Sequence, residues 1–424
     1  MSTRHVLLIV TGIMLTFGCS ALTFSTWTNF QPVVTEAMGL YTPEGKLNTA
    51  PFAFYITVLY LTMTIASPFA GKLIQKMDIR IILSVSAALV GCAFLLMSVY
   101  TEIWQFYISG VMLGLGEISI LWLALPTLLN RWFAKNSGFF LGICMAMTGI
   151  GGAIWNSLFT ALNHSGVAYT QIYMIWGVIA LATSLPFTLF CIRSYPEEVG
   201  LKPYGQTADS GEGGVVKQAG LSAAKAMKNP VFYILFIYAG LVNFLTIIAP
   251  QFPSYMKSLG AAGAVSYDVA VVGGIMSVAV MIVQAISKIA MGGFADRNAR
   301  TTMIVAFFAG ISGILLVWLG AQTEALLYAG AVIYGFFFAS AVVLCPIAVK
   351  TIFGTREYAE IWSRISVFIN LMGAFAATIW AFLGSNYGYS IVFIVGLVAH
   401  VVVISCGLYA FSKREQIKAE WTTE

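Results

Sequence analysis

Stretches of about twenty apolar residues recur along the whole chain and restrict its fold more than any other feature. A membrane-spanning helix needs about 20 such residues to cross a hydrocarbon core that is ~30 Å thick. Hydrophobic residues make up 59% of the chain and charged residues 9%, a composition typical of membrane proteins. We count about twelve windows, at 6–32, 51–71, 80–99, 103–130, 137–162, 168–191, 231–256, 267–294, 302–320, 325–349, 361–384 and 388–411.

These windows predict helices. Lipid offers backbone groups no hydrogen-bonding partner, so only helices or a closed barrel can span it. A barrel requires sustained alternation of apolar and polar residues, which the windows lack. The first window resembles a signal peptide, but it is too long, and no soluble domain comes after it. We therefore predict an all-α integral membrane protein with twelve transmembrane helices.

The basic residues orient these helices. Of the 22 Lys and Arg residues, all but Lys46, Lys257 and Lys288 fall at the termini, in the even-to-odd loops or at the helix ends beside them. Positive charge concentrates on the cytoplasmic side of membrane proteins. The charges thus predict two cytoplasmic termini, and we expect the protein in a plasma (inner) membrane. We attribute the net charge of +5 to this topology and expect no nucleic-acid partner.

A polar segment divides the windows into two sets of six. It covers 194–229 and predicts a flexible cytoplasmic linker between an N-terminal bundle, 1–193, and a C-terminal bundle with a short cytoplasmic tail, 230–424. Short basic loops that begin with glycine, Gly71–Arg80 and Gly292–Arg300, occupy the same place in each half. We predict two pseudo-symmetric six-helix bundles, with substrate bound near the midplane of the membrane.

Cysteine and histidine give no sign of a metal or a catalytic site. The six cysteines lie in apolar windows without a CxxC pair, and we interpret them as small core residues that form no disulfide. His164 and His400 have no metal-ligand partner at useful spacing, and no nucleophile–base constellation is present. We expect neither an enzyme nor a cofactor.

Lys288 is the most informative single residue. It lies inside the apolar run Val269–Phe294, where a charge costs roughly 3 kcal/mol or more without a partner or a water-filled cavity. The natural ligand of such an ammonium group is an anion. Two alternatives remain: its side chain reaches the inner interface, since Asp296 lies about two turns later, or it forms a structural ion pair.

Glu117 is the second charge in an apolar window. Desolvation favours the neutral form of a carboxyl group, so this residue is a candidate proton carrier. The alternatives are an ion pair with Lys288 across the two halves, or a structural hydrogen bond to a neighbouring hydroxyl group.

The loop Gly292–Arg300, with the pattern Gly-x-x-x-Asp-Arg-x-x-Arg, resembles the signature loop of the major facilitator superfamily. This resemblance covers nearly the whole chain and implies a cytoplasmic gate. The gate residues would be Gly292, Asp296, Arg297 and Arg300, with Gly71 and Arg80 in the N-terminal copy. That copy has Gln75 in place of the expected Asp and Asp78 in place of Gly, which implies a weaker gate on that side.

Two stretches are similar to the monocarboxylate-transporter and oxalate/formate-exchanger branch: Arg131–Gly138 with Leu141–Ile143 and, loosely, Trp27–Pro32. This branch carries Asp-x-x-x-Arg in its eighth helix, where this chain has Gln284 and Lys288, one turn apart on one face. The resemblance implies that Lys288 holds a carboxylate and that Gln284 donates hydrogen bonds beside it.

The resemblance also bears on the substrate. Oxalate exchangers carry a second basic residue in the eleventh helix, whose counterpart here is the neutral Asn370, so a monocarboxylate is favoured over oxalate. Further cavity candidates are polar residues that serve more often in helix–helix hydrogen bonds: Asn29, Asn243, Gln251 and Tyr334. An apolar part of the pocket could be lined by three tryptophans, Trp27, Trp122 and Trp155. Packing or anchoring at the membrane interface is their favoured role.

These features predict a secondary transporter of a small organic anion that works by alternating access. Its partners would be a small carboxylate, a proton or counter-anion, and the lipid bilayer, and we expect a monomer. Proton symport and anion exchange both fit the sequence. The alternative is a proton-coupled drug or amphipath exporter of the same fold, with Lys288 structural. A membrane sensor or integral enzyme is disfavoured, because no signalling domain or catalytic cluster is visible.

Overall fold

The computed structural model describes residues 1–43, 45, 47–205 and 219–423. The predicted outer position of Lys46 and the middle of the predicted linker, 206–218, lie outside the described residues.

The structure is built from long apolar helices, as predicted. We label the spanning helices α1 to α7 at Thr3–Ser25, Ala50–Lys76, Ile79–Met97, Ile103–Trp132, Ser137–His164, Tyr169–Phe190 and Pro230–Ala261. The run Val269–Leu319 contains α8 and α9, and α10 to α12 are Glu324–Phe353, Tyr358–Tyr387 and Tyr389–Ser412. Shorter elements are the helices Trp27–Ala37, Pro196–Val199, Ala223–Lys228 and Arg414–Ala419, and the paired strands Ala219–Gly220 and Thr422–Thr423.

The run Val269–Leu319 accounts for the twelfth spanning helix. Its 51 residues would extend about 75 Å as one helix, more than twice the hydrocarbon thickness. Asn298 has non-helical backbone angles, φ −154° and ψ 92°, and separates α8 from α9. The predicted all-α membrane fold with two six-helix halves is thus confirmed.

The chain forms two compact units. The first contains Met1–Lys135 and Ile143–Val215, and the second contains Asn136–Gly142 and Val216–Glu424. The first turns of α5 therefore pack within the second unit, which the predicted boundary between bundles did not anticipate. The described ends of the predicted linker are built into these units, because the backbone N–H of Tyr204 donates to Trp132 and that of Leu221 donates to Phe353.

Several spanning helices are interrupted near their middle. In α1 and α4, π-helical turns occupy Thr16–Ser20 and Ile118–Ala124. Pro126 lacks a backbone N–H and so cannot donate to the carbonyl of Trp122, four residues earlier. In the same way Pro250 cannot donate to the carbonyl of Thr246, where the first part of α7 ends. Such π segments are frequent at functional sites, so these interruptions mark where to look for one.

The apolar surface matches the expectation for a chain in lipid. Large hydrophobic side chains such as Phe69 and Phe190 are more than 70% exposed. The cysteines differ in how deeply they are buried. All six are free, and Cys19, Cys144 and Cys345 are buried as predicted. The prediction of a core position was wrong for the exposed Cys92 and the half-buried Cys191 and Cys406, since an apolar window does not specify which helix face is inside.

Candidate functional site

Glu117 lies fully buried in the first unit, at the point where the α-helical part of α4 passes into its π segment. Its carboxyl group accepts hydrogen bonds from two hydroxyl groups of α1. Ser20 Oγ donates to Oε2 at 2.6 Å, and Thr23 Oγ1 donates to Oε1 at 3.1 Å. The structure therefore contains the hydroxyl hydrogen bonds that the sequence left as one alternative.

Glycine allows α4 to approach its neighbours closely around this carboxyl group. A Cβ atom at Gly114 would lie 2.6 Å from the carbonyl oxygen of Leu59 in α2, and one at Gly116 would lie 2.7 Å from that of Ser86 in α3. Glu117 has no exposed surface within this packing. Because a buried carboxylate is costly without compensation, the arrangement suits a carboxyl group that gains and loses a proton.

Lys288 lies buried in the second unit with 3% of its surface exposed. Its Nζ donates a hydrogen bond of 3.1 Å to Gln284 Oε1, one turn earlier in α8. The spacing predicted that these side chains share one helix face. The small exposed fraction does not favour the alternative in which the ammonium group reaches the interface.

The backbone of α8 approaches the first turns of α5 closely at two points. A Cβ atom at Gly142 would lie under 3.0 Å from the carbonyl oxygen of Lys288, and one at Gly292 would lie similarly close to that of Gly138. Only glycine fits at these positions. Lys288 is therefore carried by a segment of α8 whose position is tightly fixed within the second unit.

Asp296 caps the start of α5. Its carboxylate oxygens accept hydrogen bonds from the backbone N–H groups of Gly138, at 2.9 Å, and Phe139, at 2.8 Å. Such an acid is favourable at the positive end of a helix dipole. Lys350 interacts electrostatically with Asp296, and its Nζ donates to Ser137 Oγ at 2.5 Å. Sequence reasoning missed Lys350, because it treated basic residues at helix ends only as topology signals.

The N-terminal copy of the loop is arranged differently. Asp78 caps α3, accepting from the backbone N–H of Arg80 at 2.8 Å and from Ser194 Oγ at 2.7 Å. Gln75, at the position of the signature acid, has a buried Nε2 without a hydrogen-bond partner among the described residues. Arg80 lies 3.7 Å from Asp78, and Gly71 is buried. In the second copy Arg297 and Arg300 are exposed.

Three of the remaining polar candidates form hydrogen bonds between helices. Asn243 donates to the carbonyl of Ile369 at 2.9 Å, and Tyr334 donates to that of Leu245 at 2.5 Å. Asn29 donates to Asn156 Oδ1 at 2.7 Å. These bonds fit the helix–helix alternative.

Asn370 differs from these three. It is fully buried, and neither its oxygen nor its nitrogen has a hydrogen-bond partner in the described part of the chain. Asn370 therefore does not fit the helix–helix hydrogen-bond alternative within the described residues.

Comparison with known proteins places this geometry in a family. The model of the Major Facilitator Superfamily matches residues 13–279 and 244–421. The chain is 25% identical to an uncharacterized MFS-type transporter, YhjX, of Escherichia coli K12, over 73% of each chain. It is also 25% identical to the multidrug resistance protein MdtG of Escherichia coli O6:K15:H31, over 89% of this chain and 88% of the relative.

Solved structures share the fold at low sequence identity. The proton:xylose symporter XylE matches 99% of this chain and 98% of its own with a TM-score of 0.72 and 12% identity. A bacterial homologue of the iron transporter ferroportin, in an outward-facing state, matches 97% of this chain and all of its own with a TM-score of 0.67 and 15% identity.

Proposed function

This chain belongs to the Major Facilitator Superfamily of membrane transporters, and from that premise we propose that it moves a small organic anion, a monocarboxylate, by alternating access. The observation that carries the proposal is the ammonium group of Lys288, buried in α8 beside Gln284.

The chemistry of this pair favours an anion. A buried ammonium group is costly unless an anion compensates its charge. The amide oxygen of Gln284 accepts a hydrogen bond from the ammonium group, and the amide nitrogen of Gln284 is a donor that suits an oxygen of a bound anion. A carboxylate bound beside Lys288 and Gln284 would neutralise the lysine and would accept hydrogen bonds from both side chains. Because Asn370 is neutral, one cation serves the substrate, which suits one carboxylate rather than two.

Glu117 is the proposed coupling group. Its carboxyl group is buried and hydrogen-bonded to hydroxyl groups, which donate to the charged form and also accommodate the neutral form. Protonation and release at this site would couple substrate movement to a proton gradient. Exchange against a second anion remains the other mode. We further propose a monomer in the inner membrane with both termini in the cytoplasm.

A second candidate function is proton-coupled export of drugs or amphipathic molecules. The similarity to MdtG, named a multidrug resistance protein, favours it. In that case Glu117 would bind a proton or a cationic substrate, and Lys288 would have a structural role.

Uptake into proteoliposomes tests the proposal. We would measure labelled lactate, formate and oxalate, with and without an inward proton gradient, for wild type and Lys288→Ala. Lys257→Ala, which removes an exposed lysine of α7, is the matched control. We expect monocarboxylate uptake that Lys288→Ala abolishes and Lys257→Ala retains.

The outcomes separate the alternatives. Symport is supported if the proton gradient stimulates uptake by the wild type and this stimulation disappears in Glu117→Gln. Exchange is supported if uptake occurs only into vesicles preloaded with anion. If no carboxylate moves, or if folded Lys288→Ala transports like wild type, the anion proposal is wrong. Proton-driven efflux of a cationic dye by the same vesicles would then favour the exporter.

A further inference from the structure

A tryptophan of α5 holds the π segment of α1 in the first unit. Trp155 Nε1 donates a hydrogen bond of 2.8 Å to the carbonyl of Phe17, and the two rings pack with their centroids 4.6 Å apart. A second bond runs the other way, because Thr16 Oγ1 lies 2.6 Å from the carbonyl oxygen of Cys144 in α5. We call these four residues the first clasp.

The second unit repeats this arrangement between α7 and α11. Trp380 Nε1 donates to the carbonyl of Phe244 at 2.8 Å, with the ring centroids 4.3 Å apart. Asn243 Nδ2 donates to the carbonyl of Ile369 at 2.9 Å. The members of this second clasp have the same sequence spacing, since Ile369 lies eleven positions before its tryptophan, as Cys144 does in the first clasp.

The two clasps differ in the residue that lies three positions beyond the phenylalanine that contacts the tryptophan ring. In the first unit this residue is Ser20, which ends the π segment and donates to Glu117. In the second unit it is Ile247, which has no polar side-chain group. The first clasp thus fixes the segment that supplies a hydrogen bond to the buried carboxyl group, whereas the second clasp fixes a turn whose corresponding residue, Ile247, has no hydroxyl group to supply.

We propose that Trp155 is a positioning residue for proton coupling: by holding the π segment Thr16–Ser20 against α5, it places the Ser20 hydroxyl on Glu117. The inference rests on the proposed role of Glu117 in transport. Trp380 makes the same local contacts with α7, but it places no hydroxyl group on a buried carboxyl group. A π turn carries one more residue per turn than an α turn, so release of the segment would rotate Ser20 away from the carboxyl group.

Among the described residues, groups of α1, α2 and α3 lie near Glu117. From α1 come Ser20, Thr23 and Cys19, and the last of these also interacts electrostatically with the carboxyl group. From α2 comes Tyr60, through a similar interaction. The neighbouring groups of α3 beside Gly116 are the carbonyl of Ser86 and the side chain of Val90, and neither carries a charge.

Infrared spectroscopy of the purified full chain in lipid tests the proposal without a transport assay. The carboxyl and carboxylate bands of Glu117 are assigned by their loss in Glu117→Gln. Trp155→Phe keeps an aromatic ring on Phe17 but lacks the N–H donor, and Trp380→Phe makes the same change in the second clasp. We expect the Glu117 bands to shift in Trp155→Phe, with the band of the protonated carboxyl group moving to higher wavenumber. In Trp380→Phe the bands should keep their wild-type positions.

A second variant covers the case in which Trp155→Phe does not fold. Thr16→Val removes the other bond of the first clasp at nearly constant volume, and it should move the same bands. Wild-type band positions in either folded variant overturn the proposal, as does an equal movement in Trp380→Phe.

Labelled lactate uptake gives the second readout. The ratio of uptake with and without a proton gradient should fall toward one in Trp155→Phe and remain at the wild-type value in Trp380→Phe. If Glu117→Gln itself leaves this ratio unchanged, the coupling role of Glu117 is wrong, while the band positions still decide whether Trp155 places Ser20.

Discussion

Ser20 Oγ lies 2.6 Å from Glu117 Oε2, and both side chains are fully buried although 97 positions separate them in the chain. The carboxyl group is thus accommodated by hydroxyl donors. Because Ser and Thr hydroxyl groups both donate and accept, they can form hydrogen bonds with either charge state of the carboxyl group.

Removal of this donor should destabilise the first unit. We expect Ser20→Ala to lower the free energy of unfolding by about 1 kcal/mol or more, since a buried acceptor loses its partner. The matched control is Ser25→Ala in α1, whose hydroxyl makes a longer contact of 3.4 Å with the carbonyl of Thr148. Thermal unfolding in detergent measures both. Equal melting temperatures for the two variants would contradict a specific role of Ser20.

The charge of Lys288 should govern substrate affinity. A hydrogen bond to a charged group contributes ~1.5–3 kcal/mol, so Lys288→Met should raise the KM for the transported monocarboxylate about 10- to 100-fold. Lys288→Arg retains the charge and should recover part of the affinity. Initial uptake rates over a range of substrate concentrations measure KM. If Lys288→Met has the same KM as the wild type, Lys288 does not contact the anion.

The cap of α5 should matter for transport as well as for stability. Asp296→Ala removes the acceptor of two backbone N–H groups and should cost ~0.5–2 kcal/mol of stability. Asp268→Ala, which removes the cap of α8, should cost a similar amount. The sequence predicts that Asp296 is also a gate residue, and on that prediction Asp296→Ala should in addition change the maximal uptake rate. If both variants transport equally well, Asp296 is only a helix cap.

Two glycines of α8 should respond oppositely to alanine. A Cβ atom at Gly292 would overlap the backbone at Gly138, whereas one at Gly274 would meet no atom within 4 Å. Gly292→Ala should therefore reduce the yield of folded protein and abolish uptake. Gly274→Ala should be tolerated, with a gain of up to ~1 kcal/mol from helix propensity. Size-exclusion profiles and uptake distinguish the two, and a well-folded, active Gly292→Ala would show that the close approach is dispensable.

Tyr334 should contribute to stability and leave substrate affinity unchanged. Its hydroxyl donates to the carbonyl of Leu245, next to the break in α7, so Tyr334→Phe should lower stability by about 1 kcal/mol. Tyr328→Phe in the same helix removes an exposed hydroxyl that contacts Glu324 and should change little. Melting temperatures test this difference. A raised KM in Tyr334→Phe with unchanged stability would instead return Tyr334 to the substrate site.

Local regularities in the sequence predicted much of this protein. Apolar windows predicted spanning helices, because the length needed to cross lipid depends only on the helical rise. The four-residue spacing of Gln284 and Lys288 predicted that they share one helix face, because the helical period places such residues together. Even the fused run Val269–Leu319 was separable into two helices by its length and its polar centre.

Contacts between helices depended on the tertiary structure. Apolar windows look alike on all faces, so the sequence did not show that Cys92 is exposed while Cys144 is buried. Nor did it pair Glu117 with Ser20, or Trp155 with the carbonyl of Phe17. Those pairings depend on the rotation and depth of each helix, which are set by close packing at glycines and by interruptions of the helical turn. The sequence determined the helices and their charged residues, whereas the tertiary structure decided which groups meet, because partners on different helices are related by packing and by no period along the chain.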